Sequence, residues 1–266
     1  MKSNSNKTIL VPTDFTEVAG FALQHAIRVS NVVKEPITLL HIVNDQNQLK
    51  AMQDKIDLLA SENQSKHSVI VKGLVRNGSI FTDIARTANE LNTSMVIMGS
   101  HSIKGKPSIN DTHVLKVISQ SKVPFITIQE PPVNKRYDDI VFPVDFTSEN
   151  REKHTWISYF CDYYISTFHL IKPSTDNPEL RAKVDLNMAS AQRWLDEKGA
   201  KYHIYTVKGE KPYEQEVLGL AVNIRADLIV IMTTKNSDNN EFLVEPHEQY
   251  IIANAGHIPV MSINPL

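Results

Sequence analysis

Cysteine is nearly missing from these 266 residues: Cys161 stands alone, so no disulfide can close within the chain, which suits a reducing cytoplasm. Charge of one sign is missing too. With 28 Lys and Arg against 30 Asp and Glu the net charge is -2, and without a clustered positive field neither nucleic acid nor an anionic membrane surface is expected as a partner. No apolar run approaches the ~20 residues of a membrane span. The polar start Met1-Lys-Ser-Asn-Ser-Asn-Lys7 lacks the apolar segment of a secretory signal, and a cytoplasmic location is expected. Ten histidines are present, but none forms a His-Glu-x-x-His pair, and Cys-x-x-Cys and Gly-x-Ser-x-Gly are absent, so no metal site and no nucleophilic catalyst is expected. Gly105-Lys106 after Gly99 falls one residue out of P-loop spacing, with Pro107 where Ser or Thr would hold magnesium.

What the chain does contain is itself, twice. Thr8-Ile-Leu-Val-Pro-Thr-Asp-Phe-Thr16 reappears as Asp139-Ile-Val-Phe-Pro-Val-Asp-Phe-Thr147. Further along, Leu40-His-Ile42 meets Phe168-His-Leu170, Val96-Ile-Met98 meets Val230-Ile-Met232, and Val123-Pro-Phe-Ile126 meets Ile258-Pro-Val-Met261, in order and at nearly constant separation. That is an internal repeat. Glu130 to Tyr137, with two prolines and three charges, has the composition of an exposed linker, which gives domains over 1–131 and 138–266.

In the first copy apolar runs predict strands over 8–12, 36–43, 67–75, 94–98 and 123–128, with helical periodicity over 16–33, 47–62, 80–91 and 112–120. The second copy repeats the order: strands over 139–142, 165–171, 201–207, 227–232 and 259–263, and helices over 148–163, 177–198, 212–224 and 246–255. Strands alternating with helices imply right-handed crossovers and a parallel sheet covered on both faces. Runs such as Leu228-Ile-Val-Ile-Met232 have the near-continuous apolar character of such strands. The fold class is α/β, as two doubly wound, Rossmann-like halves.

Ile9-Leu-Val-Pro-Thr-Asp-Phe-Thr-Glu17, Leu39-Leu-His-Ile-Val43, Ile97-Met-Gly-Ser-His101 and Lys122-Val-Pro-Phe125 resemble the universal stress protein family. The second half keeps Pro143, Asp145, His169 and Pro259, so the resemblance covers the whole chain as a tandem protein. It implies a five-stranded parallel sheet in the order 3-2-1-4-5 in each half and, in some members, ATP at the ends of strands 1 and 4. It also implies a pseudo-twofold internal dimer joined along the last strands, 123–128 and 259–263, with further homodimerisation open.

Nucleotide-binding members carry a loop of Gly, two residues, Gly, about nine residues, Gly, then Ser or Thr. Bare backbone lets the phosphates approach, while hydroxyl and helix N–H groups bind them. Here Gly99 fills the first place, Ser102 replaces the second glycine, Asp111 stands at the third if the loop is one residue shorter, and Thr112 keeps the hydroxyl. Two like charges ~4 Å apart repel by about 1 kcal/mol in water and about 4 kcal/mol near a protein surface, so Asp111 would weaken triphosphate binding. Asp111 can equally be the N-cap of a helix beginning at Thr112. The second loop, Thr233 to Glu245, holds no glycine and adds Asp238, Glu241 and Glu245, so conventional ATP binding is not expected there. Pro246 fits the first turn of the next helix.

The candidate cofactor-binding residues are therefore Thr13, Asp14, Ile42, Gly99, Ser102 and Thr112, with adenine nucleotide as the possible ligand and ATP, if bound, confined to the first half. For Asp14 and Asp145 a second role stays open: each can cap the helix after it. The expectation is a non-enzymatic stress-response binding or adaptor module whose phosphate loops are degraded and whose protein partner the sequence does not name. The alternative is an ATP-binding switch or slow ATPase with one site in the first half.

Overall fold

A computed structural model describes residues 7–100, 111–235, 242–254 and 256–265, without the side chains of 111–113, 151 and 235. The chain divides into two compact units between Lys135 and Arg136. In the first, β1 (Thr8–Pro12), α1 (Glu17–Val33), β2 (Ile37–Val43), α2 (Leu49–His67), β3 (Val71–Asn77), α3 (Ile80–Glu90), β4 (Thr93–Gly99), α4 (Asp111–Ile118) and β5 (Phe125–Ile128) succeed one another. The strands are parallel and lie side by side as β3-β2-β1-β4-β5, the expected 3-2-1-4-5 order. From β1 the chain first steps outward through β2 to β3, then returns to the other side through β4 to β5. Right-handed crossovers therefore put α1 and α2 on one face and α3 and α4 on the other. Between β1 and β4 the connections diverge, which opens a crevice at the carboxyl ends of these strands.

Local chemistry fixes the element ends. Thr16 accepts the Ala19 N–H at 3.4 Å as the N-cap of α1, and Ser79 accepts from Phe81 at 3.3 Å at the start of α3. Helix α1 buries Ala19, Ala22, Leu23, Ala26 and Ile27 against the wholly buried β1. Helix α2 outruns the expected end at 62 and stops at His67, so β3 starts at Val71 rather than 67. Asn63 to His67 is polar and extends no apolar stripe, but no Gly or Pro stops it either. The helix ends where Ser68 turns left-handed with φ 54 and donates to Gln64 O.

The expected exposed linker is tied down at both ends. His25, buried in α1, lies 3.0 Å by Nε2 from Glu130 O and 3.1 Å by Nδ1 from the Arg28 guanidinium, while Arg28 also donates to Asn134 O at 3.0 Å. Guanidinium and carbonyl fix the tautomer, with Nε2 donating. Burial, then the Arg28 charge, pushes the His25 pKa down to about 3. At the other end Tyr137 is buried.

The second unit runs β6 (Asp139–Pro143), a 3-10 segment (Ser148–Lys153), α5 (His154–Tyr163), β7 (Thr167–Lys172), α6 (Pro178–Glu197), β8 (Lys201–Thr206), α7 (Tyr213–Asn223), β9 (Leu228–Met232), β10 (Thr234–Lys235), β11 (Phe242–Leu243), α8 (Pro246–Ile252) and β12 (Val260–Ile263). Its parallel strands are ordered β8-β7-β6-β9-β12, the same topology. Two features depart from expectation. The helix expected from 148 opens as a 3-10 segment, and β10 pairs antiparallel with β11 in strands too short to show a period.

Candidate functional site

At the carboxyl ends of β1 and β4 the first unit holds a cleft of about 240 Å³. Its walls are apolar: Ile42 from β2, Ile80 and Ile84 from α3, Met98 from β4 and Val114 from α4, with Thr13, Asp14 and His41 at the mouth. Thr13 is set by its N–H on Leu40 O at 2.8 Å, and its hydroxyl accepts the Phe15 N–H at 3.1 Å. The Asp14 Oδ1 accepts the Thr16 N–H at 3.0 Å and the Thr16 hydroxyl at 2.5 Å. Thr16, not Asp14, is the helix cap; Asp14 orients it. The carboxylate is exposed, and its Oδ2 takes part in neither bond.

His41 carries a second polar atom into the lining. Its Nδ1 lies 2.7 Å from Thr13 O, and a carbonyl can only accept, so Nδ1 bears the hydrogen and Nε2 is the acceptor in the neutral ring. Phe15 sits at φ 64, a region unfavourable for a bulky residue. Its ring lies 4.8 Å from that of His41, with the Lys55 ammonium 3.9 Å from its centroid. An aromatic shelf with a cation on it thus borders the mouth.

Four of the six expected residues, Thr13, Asp14, Ile42 and Gly99, converge on this cleft. Ser102 lies outside the described residues, as does the Thr112 side chain; Asp111 is itself helical, within α4. Gly99 has a structural reason of its own. A Cβ there would lie 2.8 Å from Val18 Cγ1 and 2.9 Å from Val18 O, so the close approach of β4 to the first turn of α1 already requires glycine. The apolar lining from α3 and α4 and the acceptor on His41 were not singled out from the sequence. Their only signal was position, since Ile80 and Ile84 are one helical turn apart and His41 precedes Ile42.

In the second unit the same neighbourhood is filled from within. Asp145, the counterpart of Asp14, accepts from Thr147 N at 2.7 Å, from the Thr147 hydroxyl at 2.6 Å and from the Asn150 amide. Asn187 of α6 donates to Asp145 O at 2.9 Å and to Thr147 O at 2.7 Å. Lys153 is 4% exposed and donates to Pro143 O at the end of β6. Burial pushes its pKa down to about 8 against the favourable charges of Asp145 and Glu248. Glu248 of α8, also 4% exposed, accepts Glu245 N at 2.6 Å in a capping box with the N-cap Glu245, and Pro246 stands in the first turn as expected. Its own burial raises its pKa to about 8. Tyr213 donates to Ile171 O at 2.7 Å, and burial raises its phenol. A lysine, a glutamate, two asparagines and a tyrosine thus occupy the strand ends.

The remaining polar candidates have structural partners. His169 meets Asp139 Oδ1 at 2.8 Å and Tyr205 OH at 3.1 Å. Cys161 is half-buried, and burial raises its pKa, which holds the thiol protonated. Among the described residues no group of three or more His, Cys, Asp or Glu could hold a metal ion, and no helix is long and apolar enough to cross a membrane.

Residues 5–128 match the model of the universal stress protein family. No curated protein matches the chain. Among solved structures, a universal stress protein from Archaeoglobus fulgidus DSM 4304 is 17% identical, covers 98% of this chain and 97% of its own, and superposes with a TM-score of 0.76. A putative universal stress protein from Pseudomonas aeruginosa UCBPP-PA14 is 18% identical over 97% and 93%, with a TM-score of 0.69. At these identities the likeness is one of fold, and it extends over both units. The family's model thus covers the first unit, and the second repeats the same sheet order, so the chain carries a universal stress protein domain followed by a second unit of the same fold.

Proposed function

We propose that the chain is a non-catalytic, cytoplasmic stress-response binding module with one small-molecule cleft, in the first unit, that takes the base and ribose of an adenine nucleotide. The observation that carries this reading is the cleft itself: apolar walls from Ile42, Ile80, Ile84, Met98 and Val114, with the acceptor-bearing side chains of Asp14 and His41 in the lining. A flat heteroaromatic base suits such walls, and a small number of placed polar groups can fix its orientation. A ribose hydroxyl donating to Asp14 and an exocyclic amine donating to His41 both match the acceptors offered. Among the described residues no Ser, Cys or Lys paired with a base lines the cleft, and Lys55 is engaged with Phe15, which supports binding without turnover. The triphosphate end is weakened in this reading, because Ser102 and Asp111 replace the bare backbone and neutral surroundings that phosphates need.

Calorimetry with adenosine, AMP and ATP in the presence of magnesium tests it. The reading expects AMP to bind at least as well as ATP, at one site per chain, with binding lost in Ile42→Trp. ATP binding in the micromolar range, tenfold or more ahead of AMP, would establish the alternative, an ATP-binding switch or slow ATPase acting through Thr13, Asp14, Ile42, Gly99, Ser102 and Thr112.

A further inference from the structure

The first unit has a second, larger concavity that the nucleotide reading does not use. It is a groove of about 780 Å³ between α1 and α2, closed at one side by residues 132–135. On α1 it is lined by Gly20, Leu23, Gln24, Ile27, Arg28 and Asn31, one full helical stripe at i, i+3, i+4, i+7, i+8 and i+11. Across from it, α2 contributes Leu59, Asn63, Lys66 and His67. Leu23, Ile27 and Leu59 make an apolar floor. The rim is cationic, with Lys66 and Lys135 exposed above the buried Arg28, which is bonded to Asn134 O, and the described lining contains no Asp or Glu.

Two observations say that this space is made to be occupied. Gly20 is inside a helix, where glycine costs about 1 kcal/mol relative to alanine, yet a Cβ there would meet nothing within 4 Å. Among the described residues no contact requires that glycine. The second unit closes the corresponding gap between its first two helices: the His154 ring packs 5.0 Å from that of Trp194, and His154 Nε2 lies 3.0 Å from Ser190 Oγ. The fold therefore has a way to close the gap, and the first unit does not use it.

The dimensions choose among occupants. From Gly20 to Asn31 the lined stripe of α1 spans about 16 Å at 1.5 Å per residue, so the volume corresponds to a mean section of about 50 Å². That is roughly half the section of a helix 10–12 Å across and far wider than one acyl chain. We propose that the groove between α1 and α2 binds an amphipathic helix of a partner protein, laid in to about half its depth with apolar residues on Leu23, Ile27 and Leu59 and acidic residues facing Lys66 and Lys135. This is helix-in-groove recognition, and it gives the adaptor role a surface separate from the nucleotide cleft.

The test uses the full chain and a fluorophore-labelled helical peptide of about 14 residues, with leucine on one face and glutamate on the other; its counterpart carries lysine in place of glutamate. The acidic peptide is expected to raise its anisotropy on titration, with at least tenfold weaker binding for the lysine peptide and for Lys66→Glu/Lys135→Glu, and with binding that falls as salt is raised. Gly20→Leu fills the groove while improving helix propensity, so its thermal midpoint should hold or rise while peptide binding is lost and AMP binding is kept. Failure of the acidic peptide to bind, equal binding of both peptides, or unchanged binding in Gly20→Leu would overturn the proposal. Oleate or phosphatidylglycerol vesicles binding where the peptide does not would make the groove a lipid site. A dimer in solution that Gly20→Leu abolishes would make it a self-association surface. Either result overturns it.

Discussion

The two units share a topology and differ at the place where that topology opens. At the ends of β1 and β4 an exposed Asp14 stands over apolar walls. At the ends of β6 and β9 its counterpart Asp145 is held by Thr147 and Asn150, beside a lysine and a glutamate that are both buried. The Asp-x-Thr turn is the same in both, since each aspartate accepts from the N–H and hydroxyl of the threonine two residues on. A ligand cleft and a filled one are therefore separated not by the turn but by the segment after it. In the first unit the helix starts at once and presents Ala19 to the cleft. In the second a 3-10 segment intervenes and delivers Lys153 inward. A duplicated fold can keep its backbone turn and, in one copy, fill the space beside it with its own side chains.

The strongest way to break that contrast is to remove the internal cation. Lys153→Ala leaves Asp145 without the cation that faces it and Pro143 O without its donor, and truncating one member of a buried charged set typically costs about 3–5 kcal/mol. The urea midpoint of the second unit should fall accordingly while AMP binding by the first is kept; an unchanged midpoint would mean the lysine is a bystander. Acidity sharpens the same contrast. Folded, Glu248 holds its proton up to about 8, against 4.5 ordinarily, so between these values the folded state binds the extra proton and stability falls as pH rises. Lys153 releases its proton near 8 when folded, against 10.5 ordinarily. Over that upper window the unfolded state binds more protons, and stability rises with pH. Urea midpoints measured across pH should pass through a minimum near 8. In Glu248→Gln, which keeps an acceptor for Glu245 N, the falling limb should disappear.

Smaller effects separate structural from ligand-binding roles in the first unit. Gly99→Ala places a Cβ against Val18 and should destabilise by about 1–3 kcal/mol, as overpacking does, even with no nucleotide present. An Ala variant as stable as the parent would return Gly99 to a purely phosphate-binding explanation. Thr16→Ala removes the α1 cap and one partner of Asp14, for about 1 kcal/mol, read as a lower thermal midpoint.

The sequence made the scaffold legible because the scaffold rests on pattern. Doubly covered strands such as Leu228–Met232 are apolar throughout, and the repeat of Pro-x-Asp-Phe-Thr marks both strand ends. It failed where pattern gives no instruction: α2 continues through the polar Asn63–His67, and β10 and β11 have two residues each. The cleft was half legible. Thr13, Asp14, Ile42 and Gly99 come from the repeat and the resemblance, but Ile80, Ile84 and Val114 reach the cleft only through the packing of α3 and α4. Lys153 could not be read at all. In Arg151-Glu-Lys-His154 it looks like one more surface charge, and only the 3-10 turn directs it inward.

A crystal soaked with AMP addresses the central contrast most directly. The account predicts density for base and ribose between Ile42 and Met98, with the ribose on Asp14, and none beside Asp145 and Lys153. Nucleotide seated against Asp145 with Lys153 displaced, or present equally in both units, would contradict it.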